Sequence, residues 1–382
     1  MDQALTPIRE KVLAGERLTR ADGLALYRTR DIFTLGRLAD AVRERLHGRN
    51  AYYNINRHIN YTNYCVMRCK FCAFYRPYSS EGSPDGYEMS VEQIVETAAE
   101  AYDNGATEVH IVGGLHPKLP FEYYTEMCRA IRTRCPNMHI KAFTAIEIVH
   151  FSRIAKPRLN IAETLLALRE AGLNSLPGGG AEIFDKRVHD EVFHSKVDER
   201  HWFEVHRAAH DLGMPTNATM LYGHVENVDE RLNHLIKLRE HQDESLANMR
   251  AYAEPKAGFN CCVPLSFIPD GSELAHLPGP TGLDDLRTLA IARLMLDNFP
   301  HIKAFWIMLS PKLAQVALNW GVDDFDGTVA WYDITKREGR GTNRQALTVE
   351  QIERLIREAG CTPVERDSLY RAVTAPRAWD AK

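Results

Sequence analysis

The sequence predicts an α/β protein, a (β/α)8 TIM-type barrel with a helical extension before it and a helical appendage after it. Strand-like apolar runs alternate with amphipathic helical segments from about residue 52 onward, in seven or eight units. Each crossover helix returns the chain to the same strand direction, so the sheet is expected to be parallel. Closure into a barrel fits this number of units better than an open doubly wound sheet does.

The strand-like runs follow one another at regular intervals along the chain. They are YYNINRHIN (52–60), TEVHIVGG (107–114), MHIKAFTAIEI (138–148), LNSLPGG (173–179), PTNATMLYG (215–223), FNCCVPLSFI (259–268) and IKAFWIML (302–309), with a shorter eighth run near GVDDFDG (321–327). A chain of 382 residues is long enough either for two average domains or for one such barrel with additions.

Helices are predicted between these runs, near 90–105, 121–134, 161–171, 199–212, 228–242, 283–298 and 311–319. In the first of them Ser90 and Gln93 form a capping box, and Gly105 ends the helix. The segment 243–259 is predicted to be a long loop. We expect a helical extension over 1–50, the barrel over 51–327 and the appendage over 328–382, with a capped helix near 347–360.

Composition excludes several classes of protein. With 47 Lys plus Arg against 51 Asp plus Glu, no global basic field marks a binder of nucleic acid or of an anionic membrane. The N-terminal segment has no apolar core of the signal-peptide kind, and no run approaches the ~18 apolar residues that span a bilayer. We therefore expect a cytoplasmic enzyme without a nucleic-acid or membrane partner. Its cysteines should be reduced, and most should be structural, namely Cys128, Cys135, Cys261, Cys262 and Cys361.

Three further cysteines stand close together in YTNYCVMRCKFCAFYR (61–76). Cys65, Cys69 and Cys72 follow the first predicted strand, which places them at the C-terminal face of a barrel, where barrel enzymes carry their chemistry. Structural zinc requires four ligands, and no second pair lies at a suitable distance. Three thiolates can instead hold three irons of a [4Fe–4S] cluster and leave the fourth iron open. The alternative is three unrelated core cysteines.

The spacing C-x-x-x-C-x-x-C, with the aromatic Phe71 before the last cysteine, resembles the signature of the radical S-adenosylmethionine superfamily. The resemblance implies that the open iron binds the methionyl group of S-adenosylmethionine (SAM). Reduction then cleaves SAM to methionine and a 5′-deoxyadenosyl radical. Gly113 and Gly114 follow strand two, where the superfamily admits the methionyl amine, although a glycine pair can also be only a turn. The residues expected to contact SAM are Phe71, Gly113, Gly114, Glu147, Glu182 and Asn217.

A narrower resemblance is carried by CVMRCKFCAFYR, HIVGGLHP, HIKAFTAIEI, LPGGGAEIF, ATMLYGHVE and PVERDSLY. Together these stretches resemble the aminodeoxyfutalosine synthase family, which acts in the futalosine route to menaquinone, over roughly residues 50–370. Sister families usually carry one or two prolines where Ala145 and Ile146 stand, and Lys70 also resembles the synthases. The chain departs from the family pattern in the segment before strand six, at Cys261 and Cys262, and in REGRGTNRQ (337–345).

The family resemblance implies a reaction. The adenosyl radical adds to the enolpyruvyl ether of 3-hydroxybenzoate, the aryl group migrates, and bicarbonate leaves, to give 6-amino-6-deoxyfutalosine. SAM is consumed, and flavodoxin or ferredoxin would supply the electron. Arg76, His116 and Lys141 are the candidate ligands for the substrate carboxylates at the barrel mouth. A futalosine-type cyclase and a non-catalytic iron–sulfur electron carrier are the alternatives.

Overall fold

A computed structural model of the protein describes residues 5–79, 82–193, 197–329, 334 and 346–373. Within these ranges the strands are β1 (Asn50–Asn54), β2 (Asn56–Ile59), β3 (Glu108–Ile111), β4 (His139–Ala142), β5 (Thr216–Tyr222), β6 (Phe259–Ser266), β7 (His301–Ile302), β8 (Asp324–Gly327) and β9 (Thr362–Glu365). The departure noted at 337–345 lies outside the described residues.

Helices occupy the connections between the strands and both ends of the described chain. They are α1 (Thr6–Ala14), α2 (Arg20–Arg28), α3 (Ile32–His47), α4 (Val91–Asp103), α5 (Phe121–Arg134), α6 (Ala145–Ile154), α7 (Ile161–Glu170), α8 (Lys186–Val192), α9 (Glu199–Asp211), α10 (Val228–Ala251), α11 (Gly282–Met295), α12 (Trp306–Leu309), α13 (Pro311–Ala317) and α14 (Val349–Glu358). The predicted capping box at Ser90 and Gln93 is confirmed at the start of α4.

Parallel pairing runs around a ring of strands. β2 pairs with β3, β3 with β4, β5 with β6, β6 with β7, and β8 with β1. The remaining links are single parallel bridges, Lys141 to Ser175, Leu176 to Thr216, and Lys303 to Asp324. Since β1 and β2 are consecutive pieces of one strand, the links return to their starting point. The predicted (β/α)8 barrel is confirmed.

Four of the predicted strands are interrupted or much shortened in the structure. The first strand is interrupted at Ile55, and the fourth is reduced to the bridges at 175 and 176. The third strand ends at Ala142, because Phe143 has a positive φ of 66° and Thr144 caps a helix. The seventh strand ends at Ile302 and is followed by the short helix α12.

The predicted loop at 243–259 is wrong over its first half. Helix α10 continues to Ala251, and it still buries Ser245 against the barrel. The polar sequence of that stretch predicted a loop, but it forms a helix that is largely exposed to solvent. The predicted boundaries at residues 50 and 327 remain predictions.

The C-terminal part of the chain closes the N-terminal end of the barrel. β9 pairs with β1 in parallel, on the edge opposite β8. β1 continues into β2, and β2 pairs with β3 on the same side as β9. β9 therefore lies below β3, nearer the N-terminal end of the barrel. The residues after β9, Arg366–Tyr370, enter the bottom of the barrel, and we name them the C-terminal strap. Among the described residues, no helix is both long enough and apolar enough to cross a membrane.

Candidate active site

A cavity of about 820 Å³ occupies the barrel interior and its C-terminal end. Along β5 and β6 it is lined by alternate residues, which is the two-residue period of side chains that face one side of a strand. They are Asn217, Thr219, Leu221, Val263 and Leu265. The volume lies within the range of sites that enclose small-molecule ligands.

The three cysteines lie on the loop that joins β2 to α4, which is the predicted position. Backbone hydrogen bonds fix this loop on the barrel, from Cys65 N–H to the Arg76 carbonyl and from Lys70 N–H to the Val192 carbonyl. Cys65, Cys69 and Cys72 are only partly buried, whereas the other five cysteines are buried. This contrast separates the three candidate ligands from the five cysteines predicted to be structural.

The thiols have the chemistry that a cluster requires. Burial raises the pKa of all three, that of Cys72 to about 11, so the thiolates are costly unless a cationic group binds them. The Cys65 sulfur accepts hydrogen bonds from two backbone N–H groups, of Met67 at 3.4 Å and of Leu115 at 3.3 Å. Such bonds are typical of sulfur atoms that ligate iron–sulfur clusters.

Among the described residues, one group of three side chains has ligand atoms within 4.8 Å of one another, namely His47, His301 and Asp323. This group does not fit a cation. The Asp323 carboxylate already binds the Arg293 guanidinium at 2.5 Å and His301 Nδ1 at 2.6 Å. His47 Nε2 lies 2.8 Å from the carbonyl of Pro300. These atoms satisfy one another at the N-terminal end of the barrel, away from the cysteines.

The glycines after β3 are required for a reason that the sequence did not show. A Cβ on Gly114 would lie 2.2 Å from the Tyr64 carbonyl oxygen, and one on Gly113 would lie 2.7 Å from the Tyr61 ring. Gly114 N–H also donates to the Thr62 carbonyl at 2.8 Å. The pair therefore packs the end of β3 against the cysteine loop, and neither glycine lines the cavity.

Glu147 lies in the first turn of α6 and not on the predicted strand. Its carboxylate accepts hydrogen bonds from Tyr61 Oη at 2.7 Å, Thr144 N–H at 2.7 Å and Gly113 N–H at 3.2 Å. Burial raises its pKa to about 7. Glu147 does not line the cavity, and it acts on the cysteine loop through the backbone of the Gly113 segment.

Three of the residues expected to contact SAM do line the cavity, namely Phe71, Glu182 and Asn217. Glu182 has a positive φ of 41°, and burial raises its pKa to about 7. Its charge acts on the thiols of Cys69 and Cys72. Glycine at 178 allows the close approach of this loop to β5, since a Cβ there would lie 2.2 Å from the Asn217 carbonyl.

The candidate carboxylate ligands fall into two groups. Arg76 and Lys141 line the cavity, Arg76 on the cysteine loop and Lys141 on β4. His116 does not line it. This histidine is 1% exposed, its Nε2 lies 2.8 Å from Glu88, and its Nδ1 accepts from the N–H groups of Lys118 and Leu119. The structure therefore does not bring His116 to the mouth of the cavity.

Sequence reasoning missed the polar residues deeper in the barrel. His58, His110, Lys303 and Asp326 all line the cavity. The available signal was the third residue of the short strands NRHI, EVHI and HIKA, which is His58, His110 and Lys141 in turn. A polar residue in a strand that is otherwise buried marks the inward face of a barrel.

The chain is similar to known proteins over almost its full length. A family model described as "Radical SAM superfamily" matches residues 59–238, and one described as "CofH/MqnC C-terminal region" matches residues 256–379. The aminodeoxyfutalosine synthase of Thermus thermophilus is 49% identical over 99% of this chain and 98% of its own. That of Streptomyces coelicolor is 40% identical over 95% of this chain and 92% of its own.

More distant relatives share the architecture. A 5-amino-6-(D-ribitylamino)uracil–L-tyrosine 4-hydroxyphenyl transferase of Methanopyrus kandleri is 38% identical over 90% of both chains. Among solved structures, methylornithine synthase superimposes with a TM-score of 0.70 at 18% identity, covering 93% of this chain and 97% of its own. The FeFe-hydrogenase maturase of Carboxydothermus hydrogenoformans gives 0.70 at 17% identity, covering 96% and 80%. At these identities the two structures support the fold alone.

Proposed function

The chain belongs to the radical SAM superfamily and, within it, to the aminodeoxyfutalosine synthase family, and on this premise we propose that it transfers the adenosyl group of SAM to 3-[(1-carboxyvinyl)oxy]benzoate. The product would be 6-amino-6-deoxyfutalosine, formed with aryl migration and loss of bicarbonate. The observation that carries the proposal is the 49% identity to the Thermus thermophilus synthase over 99% of the chain. The family acts in the futalosine route to menaquinone.

Cys65, Cys69 and Cys72 are the residues that would hold the [4Fe–4S] cluster, and of these Cys72 lines the cavity together with Phe71, Glu182 and Asn217. When bound, the cluster supplies the electron that splits SAM into methionine and the 5′-deoxyadenosyl radical. Glu147 and the Gly113–Gly114 backbone contribute by fixing the loop that carries the thiols.

Catalysis by this chain would come mainly from positioning. The proposed reaction needs no protein nucleophile, so its rate depends on holding the vinyl methylene at contact distance from the adenosyl carbon. One cavity of about 820 Å³, bounded by the cysteine loop and by the barrel floor, supports binding of both substrates together. Arg76 lies on the cysteine loop, where it can bind the carboxylate beside the vinyl group.

Substrate choice tests the proposal against its nearest alternative, the cyclase. The reconstituted protein is incubated anaerobically with SAM, a reductant and either the benzoate ether or dehypoxanthine futalosine. We expect the adenosyl adduct from the benzoate ether and no cyclised product from dehypoxanthine futalosine. The opposite pattern would refute the proposed reaction and leave the superfamily assignment intact.

A further inference from the structure

The floor of the cavity is built from one level of the barrel. His58, His110 and Lys141 are paired in register across β2, β3 and β4, and all three line the cavity. The rings of His58 and His110 are stacked, with centroids 4.3 Å apart and planes inclined by 20°. Lys303 and Asp326 line the cavity from the side of β7 and β8. The floor therefore combines aromatic rings with two ammonium groups.

Both ammonium groups are nearly buried and keep donors available. Lys141 is 4% exposed and donates to Glu108 Oε2 at 2.6 Å, and Lys303 is 6% exposed and donates to Asp326 Oδ1 at 2.6 Å. An ammonium group carries three N–H donors, so each of these bonds leaves donors for a ligand. Asp326 is 2% exposed, and within the described ranges its Oδ2 atom has no hydrogen-bond partner.

The C-terminal strap holds the two carboxylates that support this floor. Ser368 Oγ donates to Glu108 Oε2 at 2.6 Å, which is the same oxygen that accepts from Lys141. On the other side Arg366 donates to Asp324 Oδ2 at 2.6 Å, and Asp324 Oδ1 accepts from the N–H of Asp326 at 2.6 Å. The floor thus depends on residues that follow the barrel by about 40 positions in the chain.

We propose that the C-terminal strap completes the substrate site from below, because Ser368, acting through Glu108, holds Lys141 where it and Lys303 bind the ring carboxylate of an aromatic substrate. This inference rests on the proposed function. In it Lys141 and Lys303 are binding residues, and Ser368 is a positioning residue.

The orientation of the substrate follows from where the radical forms. The vinyl methylene must face the cysteine loop, since that is the end of the cavity at which SAM is held. The carboxylate beside the vinyl group stays at that end, near Arg76. The ring carboxylate is meta to the ether oxygen, and with the vinyl end at the cysteine loop one rotation of the ring directs it toward the floor. There the stacked rings of His58 and His110 offer a surface for the aromatic ring.

A comparison of two ethers distinguishes a loss of binding to the ring carboxylate from a general loss of structure in a variant. One is the enolpyruvyl ether of 3-hydroxybenzoate, and the other is the enolpyruvyl ether of phenol, which lacks the ring carboxylate. For Ser368→Ala we expect KM for the benzoate ether to rise about 5- to 10-fold, with kcat and KM for SAM unchanged. The inhibition constant of the phenol ether should stay the same. A purely structural effect would weaken both ethers alike.

A matched control and a second variant keep the test decisive. Ser245→Ala removes another buried hydroxyl group outside the cavity, which is hydrogen-bonded to the His241 carbonyl and to His210 Nδ1, and it should leave both constants unchanged. The double variant Glu108→Gln with Lys141→Met removes the ion pair without leaving a buried charge. It should abolish most of the preference for the benzoate ether, and adding Ser368→Ala to it should have no further effect. Equal effects of Ser368→Ala on the two ethers, or no effect on either, would overturn the proposal.

Failure of the proposed function can be told apart from failure of this inference. If the wild-type protein makes no adduct with either ether, calorimetry with 3-hydroxybenzoate and phenol on the iron-loaded protein still tests the subsite. Tighter binding of 3-hydroxybenzoate in the wild type, lost in Ser368→Ala, supports the carboxylate site. Equal affinity for the two probes, or a preference that Ser368→Ala leaves unchanged, contradicts it.

Discussion

The pKa values of buried carboxylates are shifted in opposite directions at the two ends of the barrel. At the cysteine end Glu147 and Glu182 have no cationic partner among the described residues, and burial raises the pKa of each to about 7. At the strap end burial works in the same direction, but Arg366 and Lys303 outweigh it and lower the pKa of Asp324 to about 2. The pKa of Glu108 is likewise well below that of an ordinary glutamate, because the charges of Lys141 and of the same two cations together outweigh the effect of burial.

This difference indicates that, among the described residues, the buried carboxylates at the strap end have cationic partners, whereas Glu147 and Glu182 at the cysteine end do not. At the strap end Glu108, Asp323 and Asp324 each have a cation and a further donor. The cysteine end carries three thiols and two buried carboxylates that have no cationic partner in the described part of the chain, a costly arrangement unless another group binds there. The strap end therefore fixes the shape of the cavity, and the cysteine end is where a cluster and SAM would be accommodated.

The largest expected effect is at the cysteine end. Cys65→Ala removes one of three thiols, and we expect the protein to lose its cluster after anaerobic reconstitution, as shown by iron and sulfide analysis and by the visible absorption of the cluster. Cys128→Ala and Cys361→Ala are the matched controls, since both thiols are buried and far along the chain from this loop. Retention of full iron by Cys65→Ala would show that the ligand set is wrong.

A second prediction tests the strap end with two arginines of the same segment. Arg366→Met leaves Asp324 buried without its guanidinium, and we expect it to lower the free energy of unfolding by on the order of 3 kcal/mol. Arg371→Met removes a mostly exposed pair with Asp367 and should cost less than about 1 kcal/mol. Urea titration measures both values. Similar losses in the two variants would mean that Arg366 is not a buried support.

The third prediction concerns the contact between the glycine pair and the cysteine loop. Gly114→Ala places a Cβ against the Tyr64 carbonyl, so the cysteine loop must shift. The free energy of unfolding should fall by on the order of 1–3 kcal/mol, and the iron content should fall as well. Gly282→Ala is the control, because a Cβ there would be 3.8 Å from its nearest neighbour, Leu313. Full iron content together with weaker SAM binding would instead favour a direct ligand role for Gly114.

The smallest effect expected is a change in pH dependence at Glu147. The folded state keeps its proton between the ordinary glutamate pKa of 4.5 and about 7, whereas the unfolded state releases it. The stability that this group contributes is therefore complete below pH 4.5 and is lost as pH rises through 7. Relative to Glu147→Gln, the wild type should lose on the order of 2 kcal/mol in the free energy of unfolding between pH 5 and pH 8. Parallel pH curves would show that Glu147 is ionised throughout.

Local sequence signals predicted much of the fold and the position of the candidate cluster ligands. The capping box at Ser90 lies where the sequence placed it, and Cys65, Cys69 and Cys72 follow the first strand as expected. Both signals are contained within a few neighbouring residues. The bounds of the third strand and of helix α10 were wrong because Phe143 adopts a positive φ and because the polar stretch 243–251 continues α10, in which only Ser245 is buried beyond residue 242.

The floor of the site could not be found in the same way. Ser368, Glu108 and Lys141 are separated by hundreds of positions or by a strand and a helix, and only the closed barrel brings them together. His116 shows the converse limit of local signals. Its position after strand two predicted it near the mouth, but it does not line the cavity and its Nε2 lies 2.8 Å from Glu88.

The fate of the adenosyl group tests the central proposal most directly. The reconstituted protein is given the enolpyruvyl ether of 3-hydroxybenzoate and SAM labelled in its adenine ring, without oxygen, and the products are analysed by mass spectrometry. We predict that the label appears in a new adduct, with methionine and bicarbonate released about one to one with it. Label found only in 5′-deoxyadenosine, with the benzoate ether unchanged, would contradict adenosyl transfer.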